Sequence, residues 1–166
     1  MALKNRLLHE RLAAIVSTLR HGEMIYIADA GSGTTSQSLV PLSDKVEIID
    51  LAVSTNVPTV EQVMNVLWEV GDFEGAFVTE NMKTANPAAY AKVKNLTGEA
   101  NLHELRYLPE FYDLRDRVKA FIQTGDYGVH SNIIIIAGYP SPVIPVEWMV
   151  NPNWLDDIRK KQSEES

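Results

Sequence analysis

Near its C-terminal third the chain places Ile133, Ile134, Ile135, Ile136 and Ala137 in unbroken succession. A strand points alternate side chains to opposite faces, so a strand with no polar position has both faces covered. The run is far shorter than the roughly 20 apolar residues a membrane-spanning helix needs. It closes a series. Met24–Ala28, Val46–Asp50, Glu74–Thr79 and Leu102–Tyr107 also read as short, mostly apolar strands, with helical patterns between them. Such alternation predicts an α/β fold: a single domain with a mainly parallel sheet covered by helices on both faces.

The helical segments carry their own signals. Leu8, Leu12, Ile15, Val16 and Leu19 recur at helical spacing within an amphipathic Met1–Arg20, and Gly22 stands where a C-terminal cap would. Thr59–Val70 follows Pro58 and aligns Val60, Val63, Met64 and Leu67 on one face. Asn86-Pro87 opens a further helix with proline at its first position. Phe111–Gln123 reads as a helix with Leu114, Val118, Phe121 and Ile122 as its stripe. From Tyr139 the character changes. Pro140, Pro142, Pro145 and Pro152 interrupt a segment holding Trp148 and Trp154, which reads as an irregular arm lying on its own or a neighbouring subunit. The division expected is a domain over 1–139 and an arm over 140–166, with Lys160–Ser166 disordered.

Composition narrows function by exclusion. A net charge of -7 argues against a nucleic-acid surface. The absence of cysteine removes disulfides, thiolate metal sites and Cys nucleophiles, and fits the cytoplasm. No signal-peptide or membrane-spanning stretch is expected. None of the 4 histidines shares a close metal-ligand spacing with another, so no metal is expected. Gly31-Ser32-Gly33-Thr34-Thr35 lacks the following Lys of a nucleotide loop, which leaves an ordinary loop or one lining a pocket beside Asp29.

His21 precedes the first strand and Asp29 follows it. Ligands of open α/β sheets sit beyond the carboxyl ends of strands, where Asp29 and Asp50 both fall. Taken singly, each candidate has a plain structural reading. His21 suits a helix C-terminus, Asp29 a turn or cap, Asn132 a satisfied core amide, and Arg106 a solvated strand position.

In order along the chain, His21 to Gly31, Ile49-Asp50-Leu51-Ala52 with Val57-Pro58, Glu80–Lys83 with Asn86-Pro87, and Thr124-Gly125-Asp126 with His130-Ser131-Asn132 and the apolar strand resemble the D-ribose pyranase / L-fucose mutarotase family, closer to the pyranase branch. The resemblance implies an isomerase, free of cofactor, that interconverts ring forms or anomers of a free monosaccharide. It also implies a homo-oligomer, with decamers among such assemblies. His21 matches the family's catalytic His and Asp29 a sugar-binding Asp. His130, Ser131 and Asn132 occupy its Tyr-x-Asn position. The family's Tyr is replaced by His130, and its His after the fourth strand is missing. Arg106 and Glu110 are the candidates for substrate binding in that region.

Imidazole can remove and return protons near neutrality, as hemiacetal opening requires. A fully extended link of eight residues would separate His21 from Asp29 by about 25 Å. The two meet one sugar only if the chain folds back near Gly22 or two subunits share the site. Two other functions stay open: an isomerase, lyase or decarboxylase of an oxidised sugar on the same scaffold, and a sugar-binding accessory protein without turnover.

Overall fold

The computed structural model describes residues 4–166; the part of the expected first helix at Met1–Leu3 lies outside them. Six strands form one sheet: β1 (Met24–Ala28), β2 (Glu47–Asp50), β3 (Phe73–Thr79), β4 (Leu102–Leu105), β5 (Ala120–Gln123) and β6 (Ile133–Ala137). Their order across the sheet is β2-β5-β1-β6-β3-β4. The pairs β2–β5, β5–β1 and β3–β4 are parallel, and β6 runs antiparallel to both its neighbours. The sheet is thus mixed and mostly parallel, as the apolar strands predict. β6 sits between β1 and β3, which explains why no polar residue interrupts it.

Alternation along each strand feeds two cores. Ile25 and Ile27 of β1, Ala76 and Val78 of β3, and Ile133 and Ile135 of β6 pack under α1 (Glu10–Ser17), α2 (Val60–Val70) and α4 (Pro87–Thr97). Tyr26, Phe77, Phe121 and Ile134 face the other way. There they meet Phe111 and Leu114, together with Ile144, Val146 and Met149 from the C-terminal segment. Sequence signals set two of the helix starts. Thr59 and Gln62 form a reciprocal capping box at α2. The Asn86 side chain accepts Ala89 N–H at α4, with Pro87 in its first turn. The short α3 (Met82–Ala85) precedes α4.

Four expectations need correction. The helix over Phe111–Gln123 is instead the short α5 (Tyr112–Arg115) and, after a turn, strand β5. Leu114, Val118, Phe121 and Ile122 are all buried, as a helical stripe would be, but β5 lies between β1 and β2 with both faces covered. Ala120, Phe121 and Ile122 are buried in succession, so β5 carries no period-two signature. The turn Thr124-Gly125-Asp126 was the available cue, since it mirrors Asp29-Ala30-Gly31 after β1.

The arm is more regular than its prolines suggest. Extended residues lead into α6 (Val146–Val150) and α7 (Trp154–Glu165). Pro152 precedes α7 and leaves its interior free of proline, so Lys160–Glu165 continue a helix where disorder was expected. Trp148 and Trp154 stack at 4.4 Å and join the two helices. Met149 is buried against the chain's own sheet, and its carbonyl accepts from Arg117 Nη2. At the other terminus, Leu8 precedes α1 and is 75% exposed, outside the apolar stripe assigned to it.

Candidate active site

β1 and β6 are antiparallel, and their last backbone pair at one end is Ile27–Ile133. Beyond it a side chain continues the ladder. Asn132 Oδ1 accepts Asp29 N–H at 2.7 Å, and Asn132 Nδ2 donates to Asp29 Oδ2 at 3.1 Å. Asp29 Oδ1 takes Gly31 N–H at 3.1 Å. Ser32 Oγ lies 2.9 Å from both Asp29 Oδ1 and Asn132 Oδ1, so its single proton is shared between two acceptors. From β5, Gln123 Nε2 donates to Asp29 C=O at 2.7 Å. Asp29 is thereby held at the carboxyl end of β1 by three segments, its carboxylate by the loop at Gly31–Ser32 and by Asn132, its carbonyl by Gln123.

Burial raises the Asp29 carboxyl above its ordinary range, and the charge of Asp126 adds to this. Donation from Ser32, Gly31 and Asn132 opposes the shift. Such a group accepts hydroxyl donors when ionised, with its other lone pairs already oriented.

An aromatic wall stands next to this cluster. His130, at a positive φ of 49°, packs edge-on against Tyr107 with centroids 5.2 Å apart. The Tyr107 and Tyr112 hydroxyls are 3.1 Å apart. Burial and the Tyr107 hydrogen bond push the Tyr112 hydroxyl up to about 12. Arg115 stacks on Tyr112 and is 1% exposed. Its Nη2 donates to Val40 C=O at 2.7 Å and its Nη1 to Gly33 C=O at 3.4 Å, which ties the loop after Asp29 to α5. An open pocket of about 420 Å³ lies beside Asp29, lined by Ala30, Gly31, Asp126, Tyr127, Gly128 and Val129.

The other candidates go elsewhere. Ser131 turns to Asp126 Oδ1 at 3.3 Å and Gly128 C=O at 2.9 Å. With Asp126 it lines a separate cavity of about 190 Å³ between α2 and α4. Arg106 and Glu110 pair with each other at 3.5 Å, Arg106 exposed and Glu110 half-buried. His21 sits at the far end of β1. Gly22 N–H donates to Ala137 C=O at 3.0 Å, while Asp29 N–H bonds Asn132, and Ala137 and Asn132 bound the same strand β6. Five strand steps separate those two anchor points, about 16 Å. The turn at Arg20–Glu23 does not bring His21 to Asp29, because β1 then pairs with β6 in unbroken register from Met24–Ile136 to Ile27–Ile133. Within one chain His21 and Asp29 therefore face different ends of the sheet.

His21 has a partner that its sequence neighbourhood did not reveal. Its Nε2 lies 2.6 Å from Glu74 Oε1, across the sheet in β3. Ser32, Tyr107, Tyr112 and Arg115 were likewise missed: Ser32 meets Asn132, Tyr107 meets His130 and Arg115 meets Val40 only through the fold, and Tyr112 joins them through Tyr107 and Arg115. Only Ser32 had a cue, being in the loop beside Asp29. Among the described residues, no three His, Asp or Glu side chains cluster as a metal site would require. No helix among them is long and apolar enough to cross a membrane.

A mixed α/β sheet with a clamped carboxylate and amide beyond its strand ends defines a small-molecule site built for polar, hydroxyl-bearing ligands. Comparison with known proteins makes this particular. The profile of the RbsD / FucU transport protein family matches residues 2–140, and the chain belongs to that family. The D-ribose pyranase of Bacillus cytotoxicus is 34% identical over 139 residues, covering 81% of this chain and 96% of the relative. That of Halalkalibacterium halodurans is 31% identical over 137 residues, with the same coverage of 81% and 96%. Bacillus subtilis RbsD, solved with D-ribose, superimposes with a TM-score of 0.72 at 30% identity, over 84% of this chain and all of that one. The fucose mutarotase of Streptococcus pneumoniae, solved with L-fucose, shares the fold with a TM-score of 0.63 at 15% identity, over 81% of this chain and 95% of that one.

Proposed function

We propose that this chain is a sugar isomerase that interconverts ring forms or anomers of a free monosaccharide. The observation that carries the reading is the Asp29–Asn132 clamp beyond β1, set in a chain of this family. Asp29 and Asn132 hold sugar hydroxyls, and His130 with Tyr107 forms the adjoining wall. Arg106 adjoins Tyr107 in the chain and pairs with Glu110, which also lines a small cavity with Arg117 and Val150. Ser131 supports the loop through Asp126 and leaves direct contact to its neighbours.

His21 acts as the acid/base group. It removes the proton of the anomeric hydroxyl as the bond from the anomeric carbon to the ring oxygen breaks, and the ring oxygen takes up a proton. Reclosure reverses these steps through either face of the carbonyl or through another hydroxyl. Nothing is consumed, so no cofactor is needed.

The separation of His21 from Asp29 supports a homo-oligomer in which the His21 end of one copy closes the Asp29 end of another. Val53, Tyr127 and Val129 are exposed around the Asp29 pocket, as surfaces awaiting a second copy would be. A ring of copies, a decamer included, meets this requirement, and the cytoplasm is the compartment proposed. Exchange NMR of anomeric protons, run over a panel of sugars beginning with D-ribose, tests the activity. Faster exchange than with His21→Ala is expected for at least one sugar; equal rates throughout would remove the assignment. A stable new product from a keto-sugar or sugar acid would instead favour other chemistry on the same scaffold.

A further inference from the structure

His21 is approached at both ring nitrogens. Nε2 meets Glu74 Oε1 at 2.6 Å, and Ser141 Oγ lies 3.4 Å from Nδ1. Glu74 is nearly buried, with its side chain 10% exposed against 22% for His21. Its second oxygen, Oε2, accepts Ile144 N–H at 2.9 Å. The Tyr139 ring stands 6.0 Å from the imidazole. Gly22 permits this approach: at φ +87° it lacks the Cβ whose place Ile144 Cδ1 fills. The first part of the C-terminal arm is therefore fastened over His21 through the same carboxylate that binds its ring.

Those two bonds fix where protons lie. A backbone N–H can only donate, so Oε2 is an acceptor. An ionised carboxylate offers no proton, so Oε1 is an acceptor too. The neutral imidazole must then carry its proton on Nε2 and leave the lone pair on Nδ1. Ser141, a hydroxyl able to donate, stands on that lone-pair side.

We infer that Glu74 is a positioning residue that locks neutral His21 in the Nε2–H tautomer. Nδ1 becomes the nitrogen that takes and returns the substrate's proton, and Ser141 Oγ keeps the place a sugar hydroxyl takes on binding. The inference rests on the reading of His21 as the acid/base group. It adds the reacting nitrogen, the group that selects it, and the participation of the arm.

The test uses 15N-labelled full-length protein and long-range 1H–15N spectra at a pH where the ring is neutral, with His21→Ala to assign the signals. Wild type shows the Nε2–H pattern. In Glu74→Gln the single amide oxygen is claimed by Ile144 N–H, so the NH2 group faces Nε2 and drives the ring to Nδ1–H. That variant inverts the pattern, and kcat for anomer exchange falls on the order of 10²-fold. KM changes by less than about threefold, because the bound hydroxyl can accept from Nδ1–H where it had donated to the lone pair, while proton removal is lost. Glu74→Asp, which keeps both acceptors, retains the Nε2–H pattern and recovers part of kcat.

A wild-type Nδ1–H pattern overturns the inference. So does a Glu74→Gln protein with an unchanged tautomer, or one in which KM rises while kcat holds. Should Glu74→Gln fail to fold, the wild-type spectrum and Glu74→Asp decide the matter. If wild type accelerates no sugar at all, the proposed function fails while the tautomer result still stands or falls by itself.

Discussion

Replacing Asn132 by Ala removes the side chain that extends the β1–β6 ladder. Three interactions go with it: the 2.7 Å bond from Asp29 N–H, the 3.1 Å bond to Asp29 Oδ2, and a share of the Ser32 proton at 2.9 Å. A neutral hydrogen bond contributes about 1 kcal/mol net and one to a charged group about 1.5–3. Water enters this half-buried site and replaces part of the loss, which leaves about 2 kcal/mol. For a chain of this length that corresponds to a fall in Tm of about 4–8 °C. Urea unfolding monitored by circular dichroism measures the stability term. Titration of an active sugar measures the second consequence, a weakening of binding by roughly tenfold, since a freed carboxylate must be reordered by the ligand. Asn132→Asp gives a sharper signature. It sets a second carboxylate beside that of Asp29, so its deficit is larger at neutral pH and shrinks when acid protonates the pair. A loss below about 0.5 kcal/mol for Asn132→Ala, with sugar binding intact, would refute the clamp, because that is the range of an ordinary surface change.

Two further outcomes follow from the same structure. Burial places the folded-state pKa of Asp29 above its unfolded value, so the stability tied to its proton is full below the unfolded pKa and is lost as pH rises through the folded one. Asp29→Asn carries no such proton, so its unfolding free energy relative to wild type should improve as pH rises from acid toward the neutral plateau; a flat difference in urea melts across that range would contradict the raised pKa. Met149→Ala empties a buried position between arm and sheet and should cost about 2 kcal/mol, at the low end for core truncations because short α6 can settle inward. No shift in its urea midpoint would mean that the arm is not packed on its own sheet.

The tautomer lock and the clamp share one property, that each joins residues held by different strands or by the segments flanking them. Asn132 and Asp29 are 103 positions apart, and Glu74 lies 53 from His21. The sequence could mark His21, Asp29 and Asn132 as candidates, because strand ends and family-like blocks are local features. It could not pair them. Pairing depends on β6 entering antiparallel between β1 and β3, and thus on strand order. For β5, local reading went wrong, since four apolar-rich residues fit a helical stripe as readily as a strand covered on both sides. Arg106 and Glu110 show the converse. They stand in a promising stretch of sequence, yet the chain turns there and leaves them paired with each other at the surface.

By itself the sequence determined what short-range physics enforces. It specified the α/β alternation, the burial of β6 on both faces, the starts of α2 and α4 at Thr59 and Asn86, and a family with a His before the first strand and an Asp after it. Tertiary structure alone decided that β5 completes the sheet and that Met149 anchors the arm beneath it. It also decided that His21 and Asp29 occupy opposite ends of one straight strand. The reason is physical: a strand of mean length is too stiff to bring its ends together, so the groups at those ends find partners across the sheet, which for His21 is Glu74 and for Asp29 is Asn132.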